Sequence, residues 1–75
     1  MKTKSRLKKK ILKNLGSRVK YFRHQKGISQ EALAFQITYI GAIEQGLRSP
    51  SIYCLFVLSN ALDISLKDLV DINIV

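Results

Sequence analysis

Apolar residues near the start of this chain recur at the spacing of one helix face. Leu12, Leu15, Val19 and Phe22 lie three, four and three residues apart, while Arg18, Lys20, Arg23 and Lys26 fill other positions. That pattern predicts an amphipathic helix with one buried stripe. Gly27 follows at once, where a left-handed residue commonly closes a helix, and the cation of the last turn suits the negative end of the dipole. Ile28 is then placed to pack back on the core. Ser29 is a good N-cap for Gln30, Glu31, Ala32, Leu33 and Ala34, a second helix with an acid in its first turn.

Tyr39 to Gln45 reads as a third helix, with Ile40 and Ile43 on one side and Gly46 as the closing glycine. Leu47 to Pro50 forms a loop. Ser51 caps the run from Ile52 to Leu58, continued by Ala61 and Leu62. A short apolar run of this kind is compatible with strand or buried helix, and its length favours helix. Ser65, Leu66, Lys67 and Asp68 have the spacing of a capping box, with Asp in place of the usual Glu or Gln, and open a last short helix carrying Leu69 and Val70. The expected fold class is all-α, a compact bundle of about five short helices that requires no strand.

Composition narrows the partners. Seventy-five residues make one domain at most, and one that buries only about 60% of its unfolded surface. With 47% hydrophobic and 24% charged residues the chain is apolar enough to form a core. Its net charge of +8 points to a polyanionic partner. Seven of the thirteen bases, Lys2, Lys4, Arg6, Lys8, Lys9, Lys10 and Lys13, fall within the first thirteen residues, with no acid among them. The division that follows is a basic N-terminal arm over residues 1–11 and a helical domain over 12–75. Such an arm holds phosphate without reading sequence or serves as a solvated leader. Leu7, Ile11 and Leu12 beside its lysines leave membrane association as a further reading.

Cys54 is the sole cysteine, so no internal disulfide or cysteine-based zinc site can form, and the cytoplasm is the default location. The apolar stretch of a signal peptide is broken by Lys13, Asn14, Gly16 and Arg18. Ile52 to Leu58 is far shorter than the roughly 20 residues of a membrane span.

The segments SRVKYFRHQKGISQEALA, YIGAIEQGLRSPSI and LSNALDISLKDLV resemble the phage-repressor, Xre-like helix-turn-helix family, and are similar to the controller proteins of restriction-modification systems. The resemblance covers about Leu12 to Val70 and implies a lambda-repressor-like bundle that binds duplex DNA. By that resemblance the helix opened by Ser29 lies across the DNA backbone, and Gln30 either offers its amide to a phosphate or is simply a well-placed first-turn residue. The next helix enters the major groove, with Thr38, Tyr39, Gly41 and Ala42 toward base edges, and Gln45 near a phosphate at its far end. Tyr39 is equally suited to be a core aromatic with a surface hydroxyl. Arg48 is expected on a phosphate. Glu44 matches the family position whose carboxylate pairs with an arginine of the first helix, here Arg23.

The family carries about four more residues between these two helices. Only Phe35, Gln36, Ile37 and Thr38 separate Ala34 from Tyr39, with no Gly, Asn, Asp or Pro among them. Two outcomes stay open. Either a distorted turn survives at Gln36 to Thr38, or helices two and three are fused into one rod of about 24 Å from Gln30 to Gln45, its displaced partner supplied by a second chain.

No other chemistry is indicated. His24 has no second ligand at metal spacing, Cys54 sits in an apolar run, and the acids fall at caps, turns and helix flanks. No metal, cofactor, small-molecule substrate or catalytic activity is expected. The leading expectation is a sequence-specific duplex-DNA regulator, a repressor or controller working as a homodimer through surplus apolar surface at Leu55, Phe56 and Val57. The alternative is an antitoxin-like or dimerisation module that has lost DNA reading.

Overall fold

Helix α1 runs from Lys2 to Lys26 in a computed structural model that describes residues 2–72, with side chains from Arg6 onward. At about 1.5 Å per residue it is as long as the molecule itself, whose extents are 37 × 22 × 20 Å. The first helix thus begins well before Leu12, and the basic segment 2–11 is its N-terminal part. Lysine, arginine, leucine and isoleucine are good to fair helix formers, and no Gly or Pro precedes Gly16. The first turn contains no acid, so its lysines oppose the helix dipole. The segment is helical because extending an already packed helix needs no new nucleus. Met1 and residues 73–75, the outer ends of the two expected segments, lie outside the described residues.

The remaining elements are α2 (Gln30–Ala34), α3 (Ile40–Glu44), α4 (Ile52–Ala61) and α5 (Leu66–Leu69). No strand occurs among the described residues. Three serines start three of these helices in the same way. Ser29 Oγ accepts from the Ala32 amide, Ser51 Oγ from Cys54 and Ser65 Oγ from Asp68, each at 3.0 Å, which satisfies donors that the first helical turn leaves free. At the other end of α3, Gly46 adopts φ 76. Its amide donates to the Ile43 carbonyl at 3.0 Å, and that of Leu47 to Ala42 at 2.9 Å, the paired bonds of a Schellman stop. Asp63, at φ 56, ends α4 by the same pattern without a glycine.

Helices two and three are not fused. The chain leaves α2 through tight turns, with Gln36 and Ile37 both donating to the Leu33 carbonyl at 3.0 Å, and enters α3 with Ile40 donating to Ile37 at 3.1 Å. A straight rod would align Leu33, Ile37, Ile40 and Glu44 and leave Ile43 off that row. With the break, Leu33, Ile37, Ile40 and Ile43 are all buried, none more than 4% exposed. Burial of one more isoleucine, about 1.5 to 3 kcal/mol, outweighs the few helix hydrogen bonds given up. The run Ile37, Thr38, Tyr39 also resists helix weakly, being β-branched and aromatic.

The core joins these residues to Leu15 and Val19 of α1, Cys54 and Leu58 of α4, Leu62 and Leu69. Gly16 lets α1 and α3 touch. A Cβ there would collide with the carbonyl oxygen of Ile43 and stand 2.6 Å from that of Glu44. Of the apolar residues expected to be surplus, Leu55 and Val57 are half-buried against the core and only Phe56 is exposed. The exposed apolar companions of Phe56 on α4 are Ile52 and Tyr53.

Candidate nucleic-acid interface

Helix α3 has only five residues, so its orientation comes from what grips it. Arg23 on α1 and Glu44 at the end of α3 form a two-pronged ion pair, with Nε to Oε2 at 2.7 Å and Nη2 to Oε1 at 3.1 Å. Both side chains are under 10% exposed. Arg23 Nη1 donates to the Ile28 carbonyl at 3.0 Å, and Gln30 Nε2 donates to Glu44 Oε1 at 3.1 Å. One carboxylate therefore ties α1, the start of α2 and the end of α3 together. Every buried side-chain nitrogen and oxygen among the described residues has a partner, the condition under which a buried charge pair is tolerated.

With Ile37, Ile40 and Ile43 turned inward, the opposite face of this segment presents Thr38, Gly41, Ala42 and Gln45. Thr38 and Gln45 are exposed, Gly41 and Ala42 half-buried. The positions recur at helical spacing, and the two central ones are small enough for a partner to approach the backbone closely. Gln30 lies against this face, since a Cβ on Gly41 would meet its Oε1 at 3.4 Å.

Tyr39 departs from the row. It is half-buried, and the Cys54 side chain beside it holds its pKa above the ordinary 10.0. Charge on Cys54 and burial add to that shift, while Arg48 opposes it. The outer face of the ring carries the Arg48 guanidinium, 4.4 Å from the ring centroid. Tyr39 is thus a platform for Arg48. Arg48 itself is exposed beside α3.

Residues 19–69 match the family model for helix-turn-helix proteins. The chain belongs to the helix-turn-helix family. The high-resolution crystal structure of the restriction-modification controller protein C.AhdI from Aeromonas hydrophila is similar to it, with a TM-score of 0.72 and 39% sequence identity over 77% of this chain and 94% of that one. No curated protein matches the chain significantly. The family and the all-helical fold make this a DNA-binding regulator of the Xre-like type. No helix among the described residues is long and apolar enough to cross a membrane.

In this helix-turn-helix regulator, Gln30, Thr38, Gly41, Ala42 and Gln45 share one side of the α2–α3 unit. Arg48 stands at its border on Tyr39, and the Arg23–Glu44 pair lies behind it. Sequence reasoning missed several exposed apolar residues, among them Ile52 and Tyr53 of α4 and Phe35. Phe35, at the C-cap of α2, is 92% exposed. Its signal was an aromatic directly after the last periodic position of a short helix. His24 lies beside Arg23, with its ring nitrogen 3.3 Å from Nη2, and no group of three or more metal-binding side chains occurs among the described residues.

Proposed function

We propose that the chain binds duplex DNA sequence-specifically as a homodimer, with no catalysis of its own, and acts in the cytoplasm as a repressor or controller of transcription. The observation that carries this reading is the outward row of Thr38, Gly41, Ala42 and Gln45 on a helix clamped from behind by a buried ion pair. A reading element must be held within about 0.5 Å to discriminate bases, and the Arg23–Glu44–Gln30 network supplies that stiffness. Thr38 donates to or accepts from base edges, and Ala42 suits a thymine methyl group. Gln30, Gln45 and Arg48 meet phosphates on either side. None of these is a bidentate reader of guanine, so part of the specificity comes from DNA shape.

Dimerisation rests on α4, where Ile52, Tyr53 and Phe56 are between 56% and 76% exposed. A cluster of large apolar side chains on so small a surface marks a contact with a partner, and a second copy would set two α3 helices on adjacent half-sites. The helix break at residues 35–39 favours this reading over a module that keeps only protein contacts. The similar chain from Aeromonas hydrophila, a restriction-modification controller protein, supports a controller role.

Duplexes selected from a random pool by the purified chain should contain an inverted repeat with half-sites spaced by one DNA turn or a multiple of it. Thr38→Ala should relax the preference at one base pair of each half-site, and Phe56→Glu should yield monomers by sedimentation with weaker DNA binding. A pool that shows no enrichment refutes the reading.

A further inference from the structure

The basic N-terminal part of α1 precedes the residues that match the family, and its charges are ordered by the helix that carries them. Arg6, Lys9 and Lys13 follow one another at intervals of three and four and so form one row along the helix surface. The next member of that row is Gly16, the residue that lies against the carbonyls of Ile43 and Glu44. The row therefore leaves α1 on the side that faces α3 and continues past the end of that helix. Its position there is close. A Cβ on Gly46 would stand 3.0 Å from the Lys13 Cα, and Ser49 lines a surface groove together with Leu7, Lys8, Ile11 and Leu12. Lys13 thus lies against the glycine stop of α3, while loop 47–50 packs over the neighbouring face of Leu7, Lys8, Ile11 and Leu12 and leaves the basic row uncovered. Arg6, Lys9 and Lys13 are all exposed, and the first acid in the chain is Glu31.

From this geometry we infer that Arg6, Lys9 and Lys13 form a second DNA contact, a rail that binds the phosphodiester backbone beyond the C-terminal end of α3. The inference rests on the DNA-binding reading above and adds to it a site that reads no bases. From Arg6 to Lys13 the helix rises about 10.5 Å. One DNA strand presents a phosphate every 3.4 Å or so along its axis, which matches two to three contacts for three long, flexible side chains. Like charges four apart, as at Lys9 and Lys13, repel and weaken a helix. An anion along the row relieves that repulsion, so the rail also becomes more ordered when DNA is bound.

The test compares wild type with R6Q/K9Q/K13Q and with a control, K20Q/K26Q/K67Q, that removes the same charge elsewhere; glutamine keeps the helix propensity of lysine. Each is titrated across a salt series against a duplex that the wild-type chain selects from a random pool and against a duplex of random sequence. For the rail variant the slope of log K on log salt should flatten by about 2 to 3 on both duplexes, at roughly 0.9 per phosphate lost. The ratio of the two affinities should stay constant, since phosphate contacts carry no sequence information. Amide exchange in residues 6–13 should slow when DNA is added to wild type. A rail variant with the wild-type slope, or a control that flattens as much, overturns the inference and leaves the reading of α3 untouched. Co-flotation of wild type with phosphatidylserine–phosphatidylcholine vesicles, combined with an unchanged DNA slope for the rail variant, assigns the row to membranes and also overturns it. If wild type shows no salt-dependent binding to any duplex, the DNA-binding reading itself fails.

Discussion

Replacing Gly16 by alanine sets two physical effects against each other with opposite signs. In the interior of a helix alanine is better than glycine by about 1 kcal/mol, so a Gly16 that touched nothing would make the variant more stable. In this fold the added methyl collides with the Ile43 carbonyl oxygen and stands 2.6 Å from that of Glu44 and 2.9 Å from its carbonyl carbon. These are backbone atoms, and no rotamer change relieves them. Restoring ordinary contact requires α3 to move away from α1 by somewhat under ~1 Å, and overpacking of this kind costs roughly 1 to 3 kcal/mol. Since the obstruction is rigid we expect the upper part of that range, for a net loss of about 1 to 2 kcal/mol. In a domain of this size that corresponds to a fall in Tm of about 5 to 15 °C. The same displacement strains the Arg23–Glu44 pair and moves the outward row, so DNA affinity should fall further than the loss of folded protein explains. Thermal melting followed by circular dichroism gives the first quantity, and titration of the selected duplex well below the melting range gives the second. A Gly16→Ala chain that melts higher than wild type would refute the close α1–α3 contact and the clamping of α3 that depends on it.

Two further perturbations address the groups behind and beside α3. Glu44→Ala leaves the 8% exposed Arg23 without its carboxylate and should cost about 3 to 5 kcal/mol in denaturant unfolding, while the double variant Arg23→Met, Glu44→Leu should lose much less than the two single changes together. Additive losses would mean that the pair is not coupled. For Tyr39, a raised pKa means that the fold favours the neutral phenol. Its contribution to stability is therefore complete below the ordinary value of 10.0 and is lost as pH rises through the higher folded value. Cys54→Ala removes the largest cause and should bring the Tyr39 ionisation down toward 10.0 in an alkaline absorbance titration; superimposable curves for the two proteins would contradict the Tyr39–Cys54 contact.

The legible parts of this fold are those where a short local rule decides. Ser29, Ser51 and Ser65 cap helices because a side-chain oxygen one turn from a free amide has little choice of partner, and Gly27 and Gly46 end helices because they enter the left-handed region at no steric cost. The Arg23–Glu44 pair was accessible only through the resemblance to a family, since nothing in a single sequence brings positions so far apart together. Asp63 ends α4 in a conformation that its residue type seldom adopts, and Tyr39 becomes a half-buried platform under Arg48. Both depend on neighbours that are remote in the chain.

Helix periods, stops and caps, the excess of positive charge and the motif of the family were thus determined by the residues alone, because each is a matter of near neighbours or of composition. Whether α2 and α3 are one helix or two was decided in three dimensions, by the burial that Ile43 obtains against α1 only if the chain turns. The same packing settled that the basic segment is helical and that Arg6, Lys9 and Lys13 share one row of its surface, since a helix anchored by its apolar half extends into residues whose own charges would not hold one.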